Sequence, residues 1–178
     1  MKTVEVAFRA RMYANDVQKS KYSDYEVYAA INDAVRIIAR EDIHSAHHGI
    51  SFRRRKEIKD VTPHGGAALP EGYIDSIHAF DADGVELLRV YSDIPKNGEY
   101  AVRGGAIFSP SAEIELYYYG LPPRVARDED ELDLPEFMMT PVAKTAAALL
   151  TGADSSALSA AQYFIGNPSS SSTGGDKA

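Results

Sequence analysis

The spacing of apolar residues changes twice along this chain, and this change constrains its fold more than any other feature. From residue 23 to 42 they recur every three or four positions, as in an amphipathic helix. From about residue 50 to 120 they fall in short segments rich in Val, Ile, Tyr and Phe, bounded by Gly, Pro, Asp or Asn, as in strands. Helical spacing then returns. We therefore predict an α+β fold, a helical bundle built from N- and C-terminal helices with an inserted small antiparallel β-sheet module.

The helix at 23–42 has the clearest start signal. Its first residues, "SDYE", place Ser23 three positions before Glu26, which is the pattern of a capping box. A first helix is predicted at 3–14. Alternate apolar residues there also fit a strand, but Ala, Arg and Met favour a helix.

Two more helices are predicted after the β-rich region. The first covers 135–151, where Pro141 either kinks the helix or marks its true start. Gly152 ends it, and a short helix follows at 154–164. Residues 1–166 are thus predicted to form a single domain.

The β insert contains two predicted hairpin turns, "FDADG" and "RGGA". The segment "EIELYYYG" alternates Ile114, Leu116 and Tyr118 with more polar residues, so one face of this strand is expected to be polar. The same alternation places Tyr118 in the core and leaves Tyr117 and Tyr119 exposed or at an interface. A tyrosine cluster that only fills the sheet fits equally well.

Composition narrows the range of functions. The net charge of −7 argues against a protein whose main task is to neutralise nucleic-acid phosphates. The chain has no cysteine, which excludes disulfides and thiolate metal sites. The N-terminal "MKTVEVAFRARMY" has no continuous apolar region, so we expect no Sec signal peptide, and no segment is apolar enough to predict a membrane span.

One basic cluster, "FRRRKEIK", begins the β-rich region. On an alternating strand Arg53 and Arg55 face one way, whereas Arg54 and Lys56 face the other. A solvated surface and nucleic-acid contact both remain open, but the charge pattern favours pairing between subunits, with the acidic "RDEDELD" as the partner in this chain or in the next copy. The predicted subunit-contact residues are Arg53, Arg55, Lys56, Tyr117, Tyr119, Asp128, Glu129, Asp130 and Glu131.

No motif points to catalysis. The stretch "HSAHHG" holds His44, His47 and His48, and a zinc pair or a polar helix end would both explain it. Phosphate-binding glycine loops, a nucleophile elbow and paired carboxylates are missing from the sequence. We therefore predict a binding or structural protein, with no cofactor, rather than an enzyme.

The last stretch, "NPSSSSTGGDKA" at 167–178, is too poor in apolar residues to fold by itself. We expect it to lie as an extended docking tail across another chain, ordered by backbone hydrogen bonds. The predicted docking residues are Phe164, Ile165, Pro168, Ser169, Ser170, Ser171, Ser172, Thr173, Gly174 and Gly175.

Four stretches in order carry a resemblance to a known family. They are "YSDYEVYAAINDAVRIIARE", "LPEGYIDSIHAFDADGVELLRVY", "EYAVRGGAIFSPSAEIELYYYGLPP" and "LDLPEFMMTPVAKTAAALL". Over roughly residues 20 to 165 the chain resembles the head–tail adaptor (connector or head-completion) proteins of tailed bacteriophages. The first 15 residues, the three-histidine stretch and the Ser/Gly tail have no counterpart in that pattern.

The resemblance implies a structural virion protein without enzymatic activity. Copies would form a ring, commonly a dodecamer, in the neck of a virion assembled in the host cytoplasm. The portal protein would lie above the ring, and a tail tube, nozzle or stopper protein below it. Double-stranded DNA would pass through without specific recognition, and no membrane is involved. The alternatives are a stand-alone peptide or nucleic-acid binding module and a metal-dependent enzyme that uses the three histidines.

Overall fold

The computed structural model describes residues 1–44 and 50–152. They divide into two compact units. Of the described residues, the helical unit contains 1–44, 50–51 and 124–152, and the β unit contains 52–123. The predicted α+β fold class is confirmed, with the helices and the strands in separate units.

Three helices build the helical unit: α1 (Thr3–Tyr13), α2 (Asp24–His44) and α3 (Met139–Thr151). Each helix packs against the other two. The predicted helices at 3–14, 23–42 and 135–151 are therefore confirmed with small shifts of their ends, and the one at 154–164 lies outside the described residues. None of the described helices is long and apolar enough to cross a membrane. The side chains of the core that are fully excluded from solvent are those of Val6, Ala10, Val27, Ile31, Ala34, Ile38, Val142, Ala143 and Ala146.

The capping box of α2 forms as the sequence predicts. The Ser23 backbone N–H donates to Glu26 Oε2 (2.7 Å), and the Glu26 N–H donates to Ser23 Oγ (3.2 Å). The hydrogen bond from the Ser23 N–H lowers the pKa of the Glu26 carboxyl. The Glu26 carboxylate and the Ser23 hydroxyl each accept a hydrogen bond from a backbone N–H that would otherwise be bound only by water at the helix N-terminus.

Pro141 marks the start of a helix and does not kink one. A 3₁₀ turn covers Glu136–Met138, and α3 begins at Met139, which places Pro141 in the first turn. In the first turn the missing proline N–H would have had no helical partner, so the residue costs little there. Gly152 ends α3 with φ 64°, a left-handed conformation that glycine adopts without a Cβ penalty.

A buried ion pair joins α1 to α2, and sequence periodicity gave no sign of it. Arg11 and Asp16 are 3% and 2% exposed. Arg11 Nη1 donates to Asp16 Oδ2 (2.5 Å), and Nη2 donates to Asp24 Oδ1 (2.7 Å) at the start of α2. Asp16 Oδ1 also accepts the backbone N–H groups of Ser20 and Lys21, both at 2.8 Å. One carboxylate thus orders the loop between the helices.

The β unit contains two sheets, where the sequence predicted one. The first has the order β1-β7-β3, and the second has the order β2-β6-β5-β4. The strands are β1 (Arg53–Ile58), β2 (Ala67–Ala68), β3 (Tyr73–Asp81), β4 (Leu88–Arg89), β5 (Glu99–Arg103), β6 (Ala106–Phe108) and β7 (Ile114–Gly120). A 3₁₀ turn at Ile50–Phe52 precedes β1. The pairing of β4 with β5 is parallel, so the insert is not purely antiparallel as predicted.

One segment between Val85 and Val90 connects the two sheets. The Leu87 N–H donates to Ala79 O of β3 (2.8 Å), and the Leu88 N–H donates to Gly98 O beside β5 (2.8 Å). Both sheets contribute to one apolar core, as in a half-barrel. Its buried members are Ile58, Val61, Ala79, Leu87, Tyr100, Ile107, Ile114, Leu116 and Tyr118.

Both predicted hairpin turns are present. In "FDADG" the Asp81 N–H donates to Val85 O (2.9 Å), and Gly84 has φ 77°. In "RGGA" Gly104 and Gly105 have φ 56° and 78°, between the antiparallel strands β5 and β6. Two consecutive residues with positive φ form the turn whose twist matches that of the paired strands.

We predict that Asp16→Asn lowers the thermal unfolding midpoint at pH 7, because it removes the buried counter-ion of Arg11 and leaves only the half-exposed Asp24. Burial raises the pKa of the Asp16 carboxyl, but the N–H groups of Lys21, Tyr22 and Ser20, together with Arg11, lower it below its ordinary value. The stabilisation is therefore present above the unfolded-state pKa of about 3.9 and is lost as the pH falls through the lower folded-state pKa. Thermal melts between pH 7 and pH 2 should show the wild type losing its advantage in acid. Asp83→Asn, in an exposed turn, is the matched control, and an equal loss from both variants would contradict the prediction.

Candidate contact surface on the three-stranded sheet

The central strand β7 has one buried face and one partly exposed face. Ile114, Leu116 and Tyr118 are at most 7% exposed and belong to the core. Tyr117 and Tyr119 lie on the opposite face and are half-buried. The predicted alternation of this strand is therefore confirmed.

Strand β1 places two of the predicted arginines beside these tyrosines. In the antiparallel register Arg53 pairs with Tyr119, and Arg55 pairs with Tyr117. Lys56 pairs with Leu116 and so lies on the other face. The structure thus brings four of the predicted contact residues together on one face and separates Lys56 from them.

Strand β3 completes this face with two residues that the sequence did not single out. His78 pairs with Tyr117, and Phe80 pairs with Glu115. The Phe80 and Tyr117 rings meet edge to face, 5.7 Å apart at 82°. In the sequence "IHAF", His78 and Phe80 are two positions apart, which is a weak sign that they share one face of a strand. The pairing of β3 is irregular at Tyr73/Asp75 and Ser76/His78, so the sequence alone does not show which face that is. We call Arg53, Arg55, His78, Phe80, Glu115, Tyr117 and Tyr119 the aromatic face.

Three titratable groups on the aromatic face, those of Arg55, Glu115 and His78, have a partner of opposite charge or a carboxylate beside them. Arg55 forms an ion pair with Glu115, and its guanidinium carbon lies 5.7 Å from the centre of the Tyr117 ring. The Tyr117 hydroxyl donates to the other Glu115 oxygen (3.2 Å). Next to them His78 Nδ1 lies 2.6 Å from Glu86 Oε1. Arg55 and Tyr117 thus share Glu115 as a partner on a partly exposed surface.

The chemistry of this face suits a protein partner. Tyrosine and arginine are enriched in protein–protein interfaces, because each offers a large apolar area together with a polar group. Glu115, Glu57 and Glu86 lie among the basic residues and oppose phosphate binding. In the parts of the chain that the structure covers, no group of three or more His, Asp or Glu is placed to hold a metal.

Two carboxylates of the predicted acidic partner segment already serve the helical unit. Asp128 Oδ1 accepts a hydrogen bond from the Tyr28 hydroxyl (2.6 Å). Burial is the larger cause, and this hydrogen bond the second, of a raised pKa for the Tyr28 phenol. Asp130 Oδ2 accepts the N–H groups of Ala126 (2.6 Å) and Arg127 (3.0 Å), which close a turn. Glu129 and Glu131 are exposed, and their carboxylates make no ion pair with another described residue.

The other predicted sites fall largely outside the described residues. His47, His48 and the whole tail at 167–178 with its root are not described, and neither is the side chain of His44, the last residue of α2. The prediction of a docking tail and the two interpretations of the histidines therefore stay predictions.

Comparison with known proteins does not assign the chain. No protein-family model matches it, and no curated protein is significantly similar to it in sequence.

We predict that neighbouring residues of β7 differ sharply in their effect on stability. Leu116→Ala removes a side chain with no exposed surface and should lower the free energy of unfolding by about 2–5 kcal/mol. Tyr117→Ala removes partly exposed contacts on the aromatic face, with Phe80, Arg55 and Glu115, and should cost about 1 kcal/mol. Urea denaturation measures both values. A cost for Tyr117→Ala as large as that for Leu116→Ala would show that the aromatic face is a packed layer and not a contact surface.

Proposed function

We propose that this protein is a structural component of a bacteriophage neck, which forms a ring between the portal and the tail and leaves a channel for genome passage. The protein completes the filled head, binds no cofactor and catalyses no reaction. DNA passes through the ring without sequence-specific contact, which suits a chain with a net charge of −7.

One observation carries the proposal. Helices from both ends of the chain pack into one unit, and a β unit is inserted between α2 and α3. This is the organisation that the resemblance to head–tail adaptors implies, and the four stretches that carry the resemblance lie within α2, β3–β4, β5–β7 and α3 together with their adjacent loops.

The aromatic face supplies one side of the subunit interface in this proposal. A ring with cyclic symmetry needs two different surfaces on each copy, one of which binds the other on the next copy. Arg53 makes no ion pair with another described residue, and Glu129 and Glu131 offer the opposite charge. Contact between them in neighbouring copies would fix the register of the ring.

A stand-alone peptide-binding module is the second candidate, because a partly exposed face of aromatic rings and arginines also fits a peptide. The two candidates differ in self-association. A protein that stays monomeric when mixed with a portal protein would favour the second.

Cryo-electron microscopy of particles assembled with and without this protein tests the proposed function. We expect a ring below the portal only when the protein is present, and leakage of DNA from heads that lack it. The double variant Arg53→Glu/Tyr119→Ala should fold, since it alters only exposed or half-buried side chains. It should fail to form the ring, since both side chains belong to the proposed subunit interface. The control Asp83→Asn should assemble normally. Particles with an unchanged neck in the absence of the protein would refute the proposal.

Deletion of residues 167–178 tests the proposed tail. We expect the shortened protein to keep its circular dichroism spectrum and thermal midpoint but to bind purified portal rings at least tenfold more weakly. The measurement is surface plasmon resonance or co-sedimentation. Replacement of 169–172 by four glycines is the control, since a strand held by its backbone should tolerate it better than deletion. Unchanged binding after deletion would contradict a docking role.

A further inference from the structure

Strand β1 is the long and regular edge of the described sheets. The two sheets end in the strands β1, β3, β2 and β4. Strands β2 and β4 have two residues each, and β3 has irregular pairing and is covered at Ala79 O by the Leu87 N–H (2.8 Å). Strand β1 has six residues, which include no proline and pair with β7 in an unbroken register. Short or bulged edges resist a further strand, whereas a regular edge can accept one.

The outer side of β1 has backbone groups that can pair with a further strand. In an antiparallel pair every second residue directs its N–H and C=O away from the neighbouring strand. Among the described residues, β1 forms backbone hydrogen bonds with β7 only. An extended segment that lies beside β1 would therefore continue the sheet through a ladder like the one that joins β1 to β7.

The side chains of β1 select the charge of such a segment. The strand begins with four consecutive basic residues, "RRRK", followed by a single acidic one. Arg55 is paired with Glu115, and Glu57 is paired with Lys59. Lys56 is exposed on the face opposite to the aromatic face and forms no ion pair with another described residue. Cross-strand pairs of opposite charge are favourable, so an acidic residue opposite Lys56 suits this edge.

A second copy of this chain does not supply that segment. Full antiparallel pairing of two β1 strands would place Arg55 opposite Lys56 on either side of the centre, and like charges in this position are destabilising. The acidic stretch "RDEDELD" already uses its backbone, because Asp130 O accepts the Thr3 N–H (3.2 Å). The tail at 167–178 contains one acidic and one basic residue. The occupant that fits is therefore an acidic segment of a different protein.

We propose that β1 binds an extended acidic segment of another protein at its outer edge, as an added strand of the three-stranded sheet. The backbone of the segment pairs with β1, and Asp or Glu at every second position lies beside Arg54 and Lys56, which share one face. Backbone hydrogen bonds give such binding its affinity, and the alternate side chains give it specificity. The proposal does not depend on the proposed neck function.

Binding of synthetic peptides to the full chain tests the proposal. The probe is a capped, fluorescently labelled peptide in which Glu and Thr alternate, and fluorescence anisotropy measures its binding. A Gln–Thr peptide lacks the charge, and a Glu–Thr peptide with a methyl group on every backbone nitrogen keeps the charge but has no N–H to donate. We expect the first peptide to bind and both controls to bind about tenfold more weakly.

Variants of the protein locate the binding. Lys56→Glu should weaken binding of the Glu–Thr peptide about tenfold, because it replaces an attraction by a repulsion. Lys21→Glu makes the same change of net charge at an exposed lysine of the helical unit and should leave binding unchanged. Amide hydrogen exchange followed by NMR should show protection of alternate residues of β1 in the complex, which attraction between charges alone does not produce. Circular dichroism confirms that both variants fold.

Four outcomes would overturn the edge proposal. Equal binding of the methylated peptide would mean that charge alone attracts the segment, and no binding of the Glu–Thr peptide would mean that the basic residues only protect the edge. Tighter binding of a single-stranded oligonucleotide of the same charge would assign them to nucleic acid. A dimer that Lys56→Glu dissociates would assign the edge to a second copy. None of these results bears on whether a ring forms below the portal, which the particle experiment tests separately.

Discussion

The pairing of β1 with β7 is the contact on which the two-unit architecture depends. These are the first and last long strands of the insert, and Arg53 at the entrance pairs with Tyr119 near the exit. The chain therefore returns close to where it left, as antiparallel neighbours lie only about 5 Å apart. Soon afterwards Val125 meets α2, where Asn32 donates to its carbonyl (2.8 Å) and accepts its N–H (3.0 Å). A β unit closed in this way can be inserted between two helices without separating them.

The same strand pair links the fold to the candidate surface. Strand β7 is the central strand of its sheet, and its side chains alternate between two faces. Leu116 and Tyr118 pack in the core, whereas Tyr117 and Tyr119 lie on the aromatic face. Every residue that strengthens the core side also fixes the position of its neighbour on the outer side. A contact surface built on a central strand is thus held more rigidly than one on a loop.

Local patterns in the sequence predicted those parts of the structure that are decided locally. The capping box of Ser23 and Glu26, the end of α3 at Gly152 and the alternation of β7 each depend on a few adjacent residues. The aromatic face was half predictable, since alternation placed Tyr117 with Tyr119 and Arg53 with Arg55. Phe80 joined them only through pairing across the sheet, at the end of a strand with irregular register. The parallel pairing of β4 with β5 likewise depends on contacts between separate segments, so no local sequence pattern predicts it.

Arg11 is the clearest case of a residue whose role only tertiary contact decides. Its guanidinium can be buried because Asp16, Asp24 and the Tyr22 carbonyl accept its hydrogen bonds, and an ion pair without such partners would be too costly to bury. Helical spacing does not predict this burial, because Val4 lies seven residues before Arg11 and so on nearly the same side of α1, yet Val4 is 42% exposed and Arg11 only 3%. Burial at this end of α1 therefore follows the position of the acidic partners and not the apolar character of the side chain.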